Sequence, residues 1–535
     1  MRRTTAKRIA SNELTIGSER AMSVASLPTA RRALPYSRMR RPLLLLGLLL
    51  LVGCQRAKGD PNDERRTLVV AAGADEYPLT LNRERLGRYP LNAGICEPLV
   101  RLSAGLGVAP ALAVRWERRA GDEVRFVLRS GVTFSDGTPF DARAVLHTLA
   151  QAARTHTDYS FLSATSVRIV DDTTLDVRPA RVNRRLVDQL VHPTYSILKP
   201  GSDPVRAPVC TGPFRLVDYA AHDHLTVVRN ERYRGARARL DTVVFRFIPD
   251  ETTRMLALRS RQVDAVVDVG RASASALERV PGLRIMTATP GAVLVMYMNL
   301  NGVAPYAQLR DTALRRALAM AIDRRTLVES VHGGGRAAVV ATVNPPSVLG
   351  AYASLVQGVG YDPAAATRAL RGRRRALRLI ANPGVVDRAT VEYVQAQLAR
   401  VGIDVAVDQL DSAAFESRLN SGAFDLDLEV PSQNDANPAF LLALRWYSGS
   451  GTRSVAYTHA SPRFDALVEQ ALAATTDDDA RRAAAAAMHQ LVDVEVGAVP
   501  LAGISRVYAM TDRVRGFVPH PSRLNQDWSA VWLAP

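Results

Sequence analysis

The pattern of apolar and polar positions predicts alternating strands and helices over most of the chain. Thr67–Gly73 is a short apolar run that ends at glycine, which is typical of a buried strand. In the stretch 123–153, the side chains from Val124 to Leu128 alternate between two faces, as in a strand. Apolar residues then recur at helical spacing after Asp141, which is placed to cap the helix. This part of the chain is therefore predicted to be mixed α/β.

The second half of the chain continues the alternation. Leu314, Leu318 and Ile322 recur at i, i+4 and i+8, which predicts a helix. The stretch 376–410 then predicts a strand, a helix and a strand in turn, and the sequence has no fixed-period repeat. We therefore expect two α/β lobes, with the second beginning near Val293.

One apolar run near the beginning of the chain does not fit this pattern. Leu43–Val52 is half as long as the roughly 20 residues that a membrane-spanning helix needs. It fits the apolar core of a secretory signal, with Arg38, Arg40 and Arg41 as the basic region before it. The following "LVGC" resembles the lipobox of bacterial lipoproteins, in which the cysteine, here Cys54, is diacylated and becomes the mature N-terminus. The competing interpretation is a buried core strand followed by a chance cysteine.

The lipobox interpretation assigns the beginning of the chain to export. Residues 1–53 form the signal segment. Met39 is a natural start, so we expect 1–38 to lie before the true start codon. The stretch 54–67 is polar and contains glycine and proline, which is typical of a flexible tether. The protein is expected to be anchored by lipid to a bacterial membrane, with its body in the periplasm or at the cell surface.

A net charge of +17 is a feature that nucleic-acid-binding proteins share, so its distribution along the chain decides whether it indicates such a partner. Residues 1–53 carry +8 of it, which leaves +9 on the other 482 residues. Arginine outnumbers lysine by 66 to 3, a bias typical of GC-rich coding. The single dense basic run, 371–375, fits a solvated loop between a helix and a strand. We expect no nucleic-acid partner.

The chain contains three cysteines, of which Cys54 is assigned to the lipid. Cys96 and Cys210 remain, an even number in a chain that is exported to an oxidising compartment. A disulfide between them and two separate buried thiols are both compatible with the spacing.

Several motifs of enzymes and metal sites are incomplete. The "HGGG" at 332–335 has no accompanying Gly-x-Ser-x-Gly, so a glycine-rich helix end explains it better than an oxyanion hole. His222 and His224 lack a third ligand at a usual spacing, which favours a polar hairpin tip over a metal site. The sequence has no phosphate-binding loop and no dinucleotide fingerprint. We expect no enzyme activity, no cofactor and no metal.

Longer motifs identify a family. "LRSGVTFSDGTPFDARAV" at 128–145 resembles the signature of the family 5 solute-binding proteins of ABC importers, which bind oligopeptides, dipeptides or nickel. "CTGPFRL" and "RNERYRG" resemble further family segments, with Cys210 in place of a glycine. The stretches 296–324, 401–428 and 495–510 resemble others, all in the family's order, so that the resemblance covers nearly all of the chain from Leu68 onward.

The resemblance implies a type II periplasmic-binding fold, in which two lobes joined by a hinge enclose a ligand. It implies that the first lobe comprises 68–98, 206–292 and 508–535, with the region 99–205 inserted into it. The second lobe comprises 293–507. The implied function is the monomeric substrate-binding component of an importer, which delivers peptides or another small polar solute to permease subunits with an ATPase. The alternative is a non-transport receptor or chaperone-like scaffold on the same fold.

The resemblance also suggests ligand contacts. Peptide-binding members pair an aspartate with the peptide's α-ammonium, and that position falls on Asn434, with Asp435 as a substitute if the loop is shifted by one residue. An aromatic residue of those members falls near Pro431. Trp446 and Tyr447 are candidates for the pocket wall. The alternatives are an Asx-capped loop turn for Asn434 and Asp435 and core packing for the two aromatic residues.

Overall fold

The computed structural model describes residues 66–73, 93–155, 162–163, 165–333, 335–371, 375–449, 457 and 461–535. The chain divides into units 1–58 and 59–535, and every described residue lies in the second unit. The predicted signal segment, Cys54 and most of the tether lie outside the described residues. Two large β-sheets and a smaller third sheet organise the described part of the chain.

A seven-stranded sheet forms the centre of the first lobe. In spatial order its strands are β12 (Leu283–Thr287), β19 (Val507–Thr511), β11 (Ala265–Val266), β1 (Thr67–Ala72), β10 (Thr242–Phe247), β9 (His224–Arg229) and β8 (Phe214–Ala220). Strand β1 is central, pairs in parallel with β10 and β11, and buries Leu68 and Val70 completely. Its position explains the apolar run in the sequence, because a central strand is covered on both faces.

A six-stranded sheet forms the centre of the second lobe. Its strands, in spatial order, are β14 (Ala337–Ala338), β18 (Ala498–Ile504), β13 (Ala292–Met298), β17 (Leu426–Glu429), β15 (Arg375–Ala381) and β16 (Ile403–Gln409). All seven residues of β13 are buried, and this strand pairs antiparallel with both β17 and β18. Strands β15 and β16 are parallel, as expected for a strand–helix–strand unit.

The stretch that the resemblance assigns to the inserted region has its own four-stranded antiparallel sheet. Its strands are β4 (Ala113–Arg118), β5 (Val124–Leu128), β7 (Thr174–Val177) and β6 (Val167–Asp171), in that spatial order. Phe126 and Leu175 are completely buried in its core. Two pairs of short strands complete the described sheets: β2 (Val100–Leu102) with β3 (Val108–Pro110), and β20 (Val514–Arg515) with β21 (Trp532–Leu533).

Thirteen α-helices lie within the described residues. They are α1 (Ala142–Thr155), α2 (Leu186–Gln189), α3 (Glu251–Arg259), α4 (Arg271–Leu277), α5 (Thr312–Ala321), α6 (Arg324–Thr326), α7 (Pro346–Leu349), α8 (Pro363–Ala369), α9 (Arg388–Arg400), α10 (Ser412–Ser421), α11 (Phe440–Arg445), α12 (Pro462–Ala473) and α13 (Asp477–His489). Asp141 precedes α1 and accepts from the Arg143 backbone N–H at 2.9 Å, which confirms the predicted start of that helix.

A disulfide joins two segments of the first lobe. Cys96 and Cys210 are separated by 114 residues, and their sulfur atoms lie 2.00 Å apart. The backbone N–H of Gly212 donates to the carbonyl of Ile95 at 3.0 Å, so the two segments also share a main-chain hydrogen bond. A Cβ at Gly212 would lie 2.3 Å from the carbonyl oxygen of Gly94, which explains the glycine in "CTGPF".

Candidate ligand-binding cleft

The chain crosses between the two large sheets twice, at neighbouring places. Residues 288–291 connect β12 to β13, and residues 505–506 connect β18 to β19. The backbone N–H of Ala288 donates to the carbonyl of Arg506 at 2.9 Å, so the two crossings run side by side. Two short adjacent connections between lobes are typical of a hinge.

The side chain of Arg506 spans this hinge. Its Nη1 donates to Oδ1 of Asp268 in the first lobe at 2.7 Å, and its Nη2 donates to Oγ of Ser432 in the second lobe at 2.8 Å. The guanidinium side chain is only 14% exposed. A charge-assisted contact to each lobe from one rigid fork favours a single relative arrangement of the lobes.

A second polar contact joins the lobes beyond the hinge. Oγ of Ser522 in the first lobe donates to Oδ1 of Asn434 in the second lobe at 3.0 Å. The loop that carries Asn434 is held close to the hinge, since the backbone N–H of Gln433 donates to the carbonyl of Gly291 at 2.9 Å. Asn434 therefore lies where the two lobes meet.

Arg523 follows Ser522 and contributes a second guanidinium at this place. Its Nε lies 3.5 Å from Oδ2 of Asp268. Burial lowers the pKa of Arg523 to about 10, yet 26% of its side chain remains exposed. We therefore take Arg523, which is close to the hinge and partly open to solvent, as part of the candidate cleft.

The named charged groups give the cleft a positive balance. Arg506 and Arg523 share one carboxylate, that of Asp268. Asn434, Ser432 and Ser522 add neutral hydrogen-bonding groups. This set suits a small polar solute, and an anionic group on that solute most of all, because arginine forks match carboxylate geometry.

The other predicted contact residues lie elsewhere. Asp435 is completely buried, and its Oδ1 accepts from the backbone N–H of Asn437 at 2.6 Å, which is the Asx turn that was the alternative interpretation. Trp446 is completely buried, and Tyr447 is 7% exposed and donates to Oε1 of Glu469 at 2.9 Å. The structure thus brings Asn434 to the cleft and packs Asp435, Trp446 and Tyr447 inside the second lobe. A ligand-binding role for these residues stays a prediction.

Sequence reasoning missed three groups of the cleft: Asp268, Arg506 and the Ser522–Arg523 pair. Arg506 carried a usable signal, because it is a lone charge between two apolar strands, β18 and β19. Asp268 carried no such signal, because its positive φ of 56° is visible only in the structure. The Ser522–Arg523 pair has none, since its partners are distant in sequence.

Trp446 belongs to a buried cluster of aromatic and charged side chains. Its ring stacks on that of Tyr297, with centroids 5.2 Å apart. Nearby, Arg445 donates to Oε2 of Glu429 at 2.7 Å, and Asp427 is completely buried. Burial, followed by the charge of Glu429, raises the pKa of Asp427 well above its usual range. One guanidinium beside two carboxyl groups fits a neutral Asp427.

We expect Asp427→Asn to raise the free energy of unfolding at pH 7.5, because the amide needs no charge burial. The wild-type Asp427 carboxyl binds its proton more tightly in the folded than in the unfolded protein, so wild-type stability falls as pH rises through the folded pKa. The gain over wild type should therefore shrink toward pH 4. Urea unfolding across this range measures it, with Asp404→Asn on the exposed face of β16 as control. A variant that is less stable than wild type at every pH contradicts the expectation.

The described residues contain no group of three or more histidine, cysteine, aspartate or glutamate side chains that could hold a metal ion. His224 instead contacts Oδ2 of Asp218 and of Asp223, each at 2.8 Å. Within the same part of the chain, no helix has the length and apolar character needed to cross a membrane.

Comparison with known proteins identifies the family. The model for the middle region of the bacterial extracellular solute-binding proteins, family 5, matches residues 107–453. The chain belongs to this family. It is an extracellular solute-binding protein with the type II periplasmic-binding fold, and the two-lobed arrangement described above is that architecture.

Similar proteins carry several different names. The chain is 24% identical over 415 residues to the nickel-binding periplasmic protein of Escherichia coli K12. This alignment covers 71% of this chain and 78% of that protein. It is 25% identical over 468 residues to heme-binding protein A of Haemophilus influenzae, covering 77% and 82%. A solved Helicobacter pylori periplasmic binding protein in complex with the peptide STSA has a TM-score of 0.77 at 22% identity, covering 88% of this chain and 99% of that one.

Proposed function

We propose that this protein is the lipid-anchored substrate-binding component of an ABC importer, which captures a peptide or another small polar solute between its lobes. The observation that carries the proposal is the position of Arg506. Its guanidinium lies on a two-strand hinge and contacts Asp268 of one lobe and Ser432 of the other. Family membership supplies the solute-binding class.

The hinge provides the mechanism. Rotation about residues 288–291 and 505–506 opens and closes the lobes, and a ligand favours the closed form only by as much as it binds that form better. The Asn434–Ser522 hydrogen bond joins the lobes in the arrangement described, so a ligand that preserves it or replaces it holds the closed form. The closed protein then presents both lobes to permease subunits, and the lipid tether raises its effective concentration there.

Peptides are the leading ligand class in this proposal. Asp268 supplies a negative group for an ammonium, and Arg523 supplies a positive group for a carboxylate at the same wall. The position that holds an ammonium in peptide-binding members is the neutral Asn434. We therefore propose that Asn434 binds free amino groups more weakly than an aspartate would. The ligand's anionic end then contributes a larger part of the binding free energy.

Asn434→Asp is expected to strengthen binding of tri-alanine about tenfold. A hydrogen bond to a charged group contributes about 1.5–3 kcal/mol against about 1 kcal/mol for a neutral pair, and about 1.4 kcal/mol corresponds to a factor of ten. N-acetylated tri-alanine has no ammonium and should gain nothing. Isothermal titration calorimetry compares the two probes, and Asn301→Asp, an exposed site beyond the far end of β13, is the matched control.

Equal effects of Asn434→Asp on free and N-acetylated peptide would contradict the ammonium role of this position. If neither probe binds any form while another solute does, the peptide class fails and the importer role remains. Uptake of the bound solute by cells with and without this protein then tests the importer role. Unchanged uptake would favour the receptor or scaffold alternative.

Cys54→Ser is expected to release the protein from membranes or to leave an unprocessed precursor. The physical reason is that an apolar run of ten residues is too short to span a bilayer, so attachment depends on the lipid. Membrane fractionation and labelling with palmitate measure the effect. Cys210→Ser, which removes a cysteine of the folded body, should keep the label. Palmitate incorporation into Cys54→Ser would show that the lipid is elsewhere.

A further inference from the structure

A cavity of about 310 Å³ lies between the inserted region and the second lobe, and none of the cleft residues named above lines it. We call it the boundary cavity. The inserted region contributes Arg118, Arg184 and Arg185 to its wall, and the second lobe contributes Arg481 and Asp477. The volume is at the lower end of the range of about 300–1,000 Å³ that small-molecule sites occupy.

Positive charge dominates the wall of the boundary cavity. Four guanidinium groups line it with two carboxylates, those of Asp188 and Asp477. A third carboxylate behind the wall, that of Asp122, accepts from Nε of Arg184 at 2.7 Å. Burial lowers the pKa of Arg118, and repulsion from the neighbouring charges of Arg185 and Arg184 lowers it further, while Asp122 and Asp188 act in the opposite direction. An anion among the arginines relieves this repulsion.

Arg185 is the buried member of the four. It is 7% exposed, and its Nη2 contacts Asp188 and, at 2.7 Å, Oδ1 of Asp477. Its Nε has no hydrogen-bond acceptor within the described part of the chain. A buried guanidinium N–H without an acceptor, at the wall of a cavity, is a donor for a ligand.

Apart from Ser347, the other side chains of the wall are apolar. Leu106 and Trp116 of the inserted region and Val348 and Pro438 of the second lobe line it. A ligand that fits both parts of the wall has one anionic group and an apolar body. Inorganic ions lack the apolar body, and neutral hydrocarbons leave the excess of arginines over carboxylates uncompensated.

We propose that the boundary cavity binds a small organic anion with an apolar body, such as an aryl carboxylate or sulfonate, as a site separate from the cleft. Its walls come from both the inserted region and the second lobe, so an occupant favours the closed arrangement. That coupling rests on the proposed hinge closure. A main-chain contact connects the cavity wall with the cleft. The backbone N–H of Ala436 donates to the carbonyl of Asp188 at 3.0 Å, and Ala436 is two residues from Asn434.

The test is isothermal titration calorimetry of the whole protein with 1-naphthalenesulfonate. The double variant Arg118→Gln/Arg481→Gln removes two exposed arginines of the wall, so it should fold as wild type does. We expect it to lose affinity for the probe by about tenfold or more. Arg388→Gln, an exposed arginine on α9 that pairs with Glu392, removes an equivalent charge elsewhere and should bind the probe as wild type does.

Arg523→Gln separates the two sites. If the probe occupies the boundary cavity, this change in the cleft leaves its affinity unaltered, whatever the outcome for peptides. The proposal is overturned if the wild type does not bind the probe, if the double variant binds it as tightly as wild type, or if Arg523→Gln abolishes binding. Loss of binding in Arg523→Gln would place the probe in the cleft, whereas the other two results do not bear on whether the cleft binds a solute.

Discussion

Gly291→Ala is expected to weaken binding of a cleft ligand by about 5- to 150-fold. Gly291 lies in the first hinge connection, and a Cβ there would be 2.1 Å from the carbonyl oxygen of Pro521. The three nearest atoms are all backbone atoms of Pro521, so the segment that carries Ser522 must move away from Asn434. Overpacking of this kind costs about 1–3 kcal/mol, and each 1.4 kcal/mol corresponds to about a factor of ten. Calorimetry with tri-alanine measures the loss.

Gly360→Ala is the matched control for this prediction. Gly360 lies in the second lobe, and a Cβ there meets nothing within 4 Å. The control should bind like wild type, and urea unfolding should show whether either variant is destabilised. If Gly291→Ala binds as tightly as Gly360→Ala, the close approach of Gly291 to Pro521 has no part in ligand binding.

Loss of the disulfide is expected to lower the free energy of unfolding by about 2–5 kcal/mol, the usual range for a native bridge. The bond closes a long loop, because its cysteines are 114 residues apart, and a long loop loses the most unfolded-state entropy when it is closed. Urea unfolding of Cys96→Ala/Cys210→Ala against wild type measures the difference. Both cysteines are 2% exposed, so alanine leaves only a small cavity.

Two measurements distinguish the effect of losing the disulfide bond from the effect of losing the packing of the cysteine side chains. Thiol titration of the processed wild-type protein, denatured without reductant, should find no free thiol, and two free thiols would contradict the bond. Reduction of the wild type should reproduce the destabilisation of the double variant. If reduction has no effect while the double variant is unstable, packing of the side chains is the cause.

The architecture was predictable because it depends on periodicity that the sequence displays directly. The buried strand at Thr67–Ala72 and the helix after Asp141 carry clear local patterns, and the structure confirms both. The helix of Leu314 and Leu318 is also confirmed, although it ends at Ala321, one residue before Ile322. The connectivity of the lobes came from the family resemblance, since strand order has no local signature.

The cleft was less predictable, because its contacts join residues that are far apart in the chain. Asn434 was located by resemblance, but its partner Ser522 is 88 residues away. Arg506 contacts Asp268 across 238 residues. No spacing rule reaches such distances. Trp446 shows the opposite difficulty: an aromatic residue at the end of a helix has the same local pattern whether it faces a cleft or, as here, stacks on Tyr297.

Native mass spectrometry of the purified protein, after incubation with a low-molecular-mass extract of the cells, tests the central claim most directly. The account predicts one small solute bound per wild-type chain and a much lower occupancy for Gly291→Ala, because the solute is held where the two lobes meet. A wild-type protein that remains without any adduct, or equal occupancy of wild type and Gly291→Ala, would contradict it.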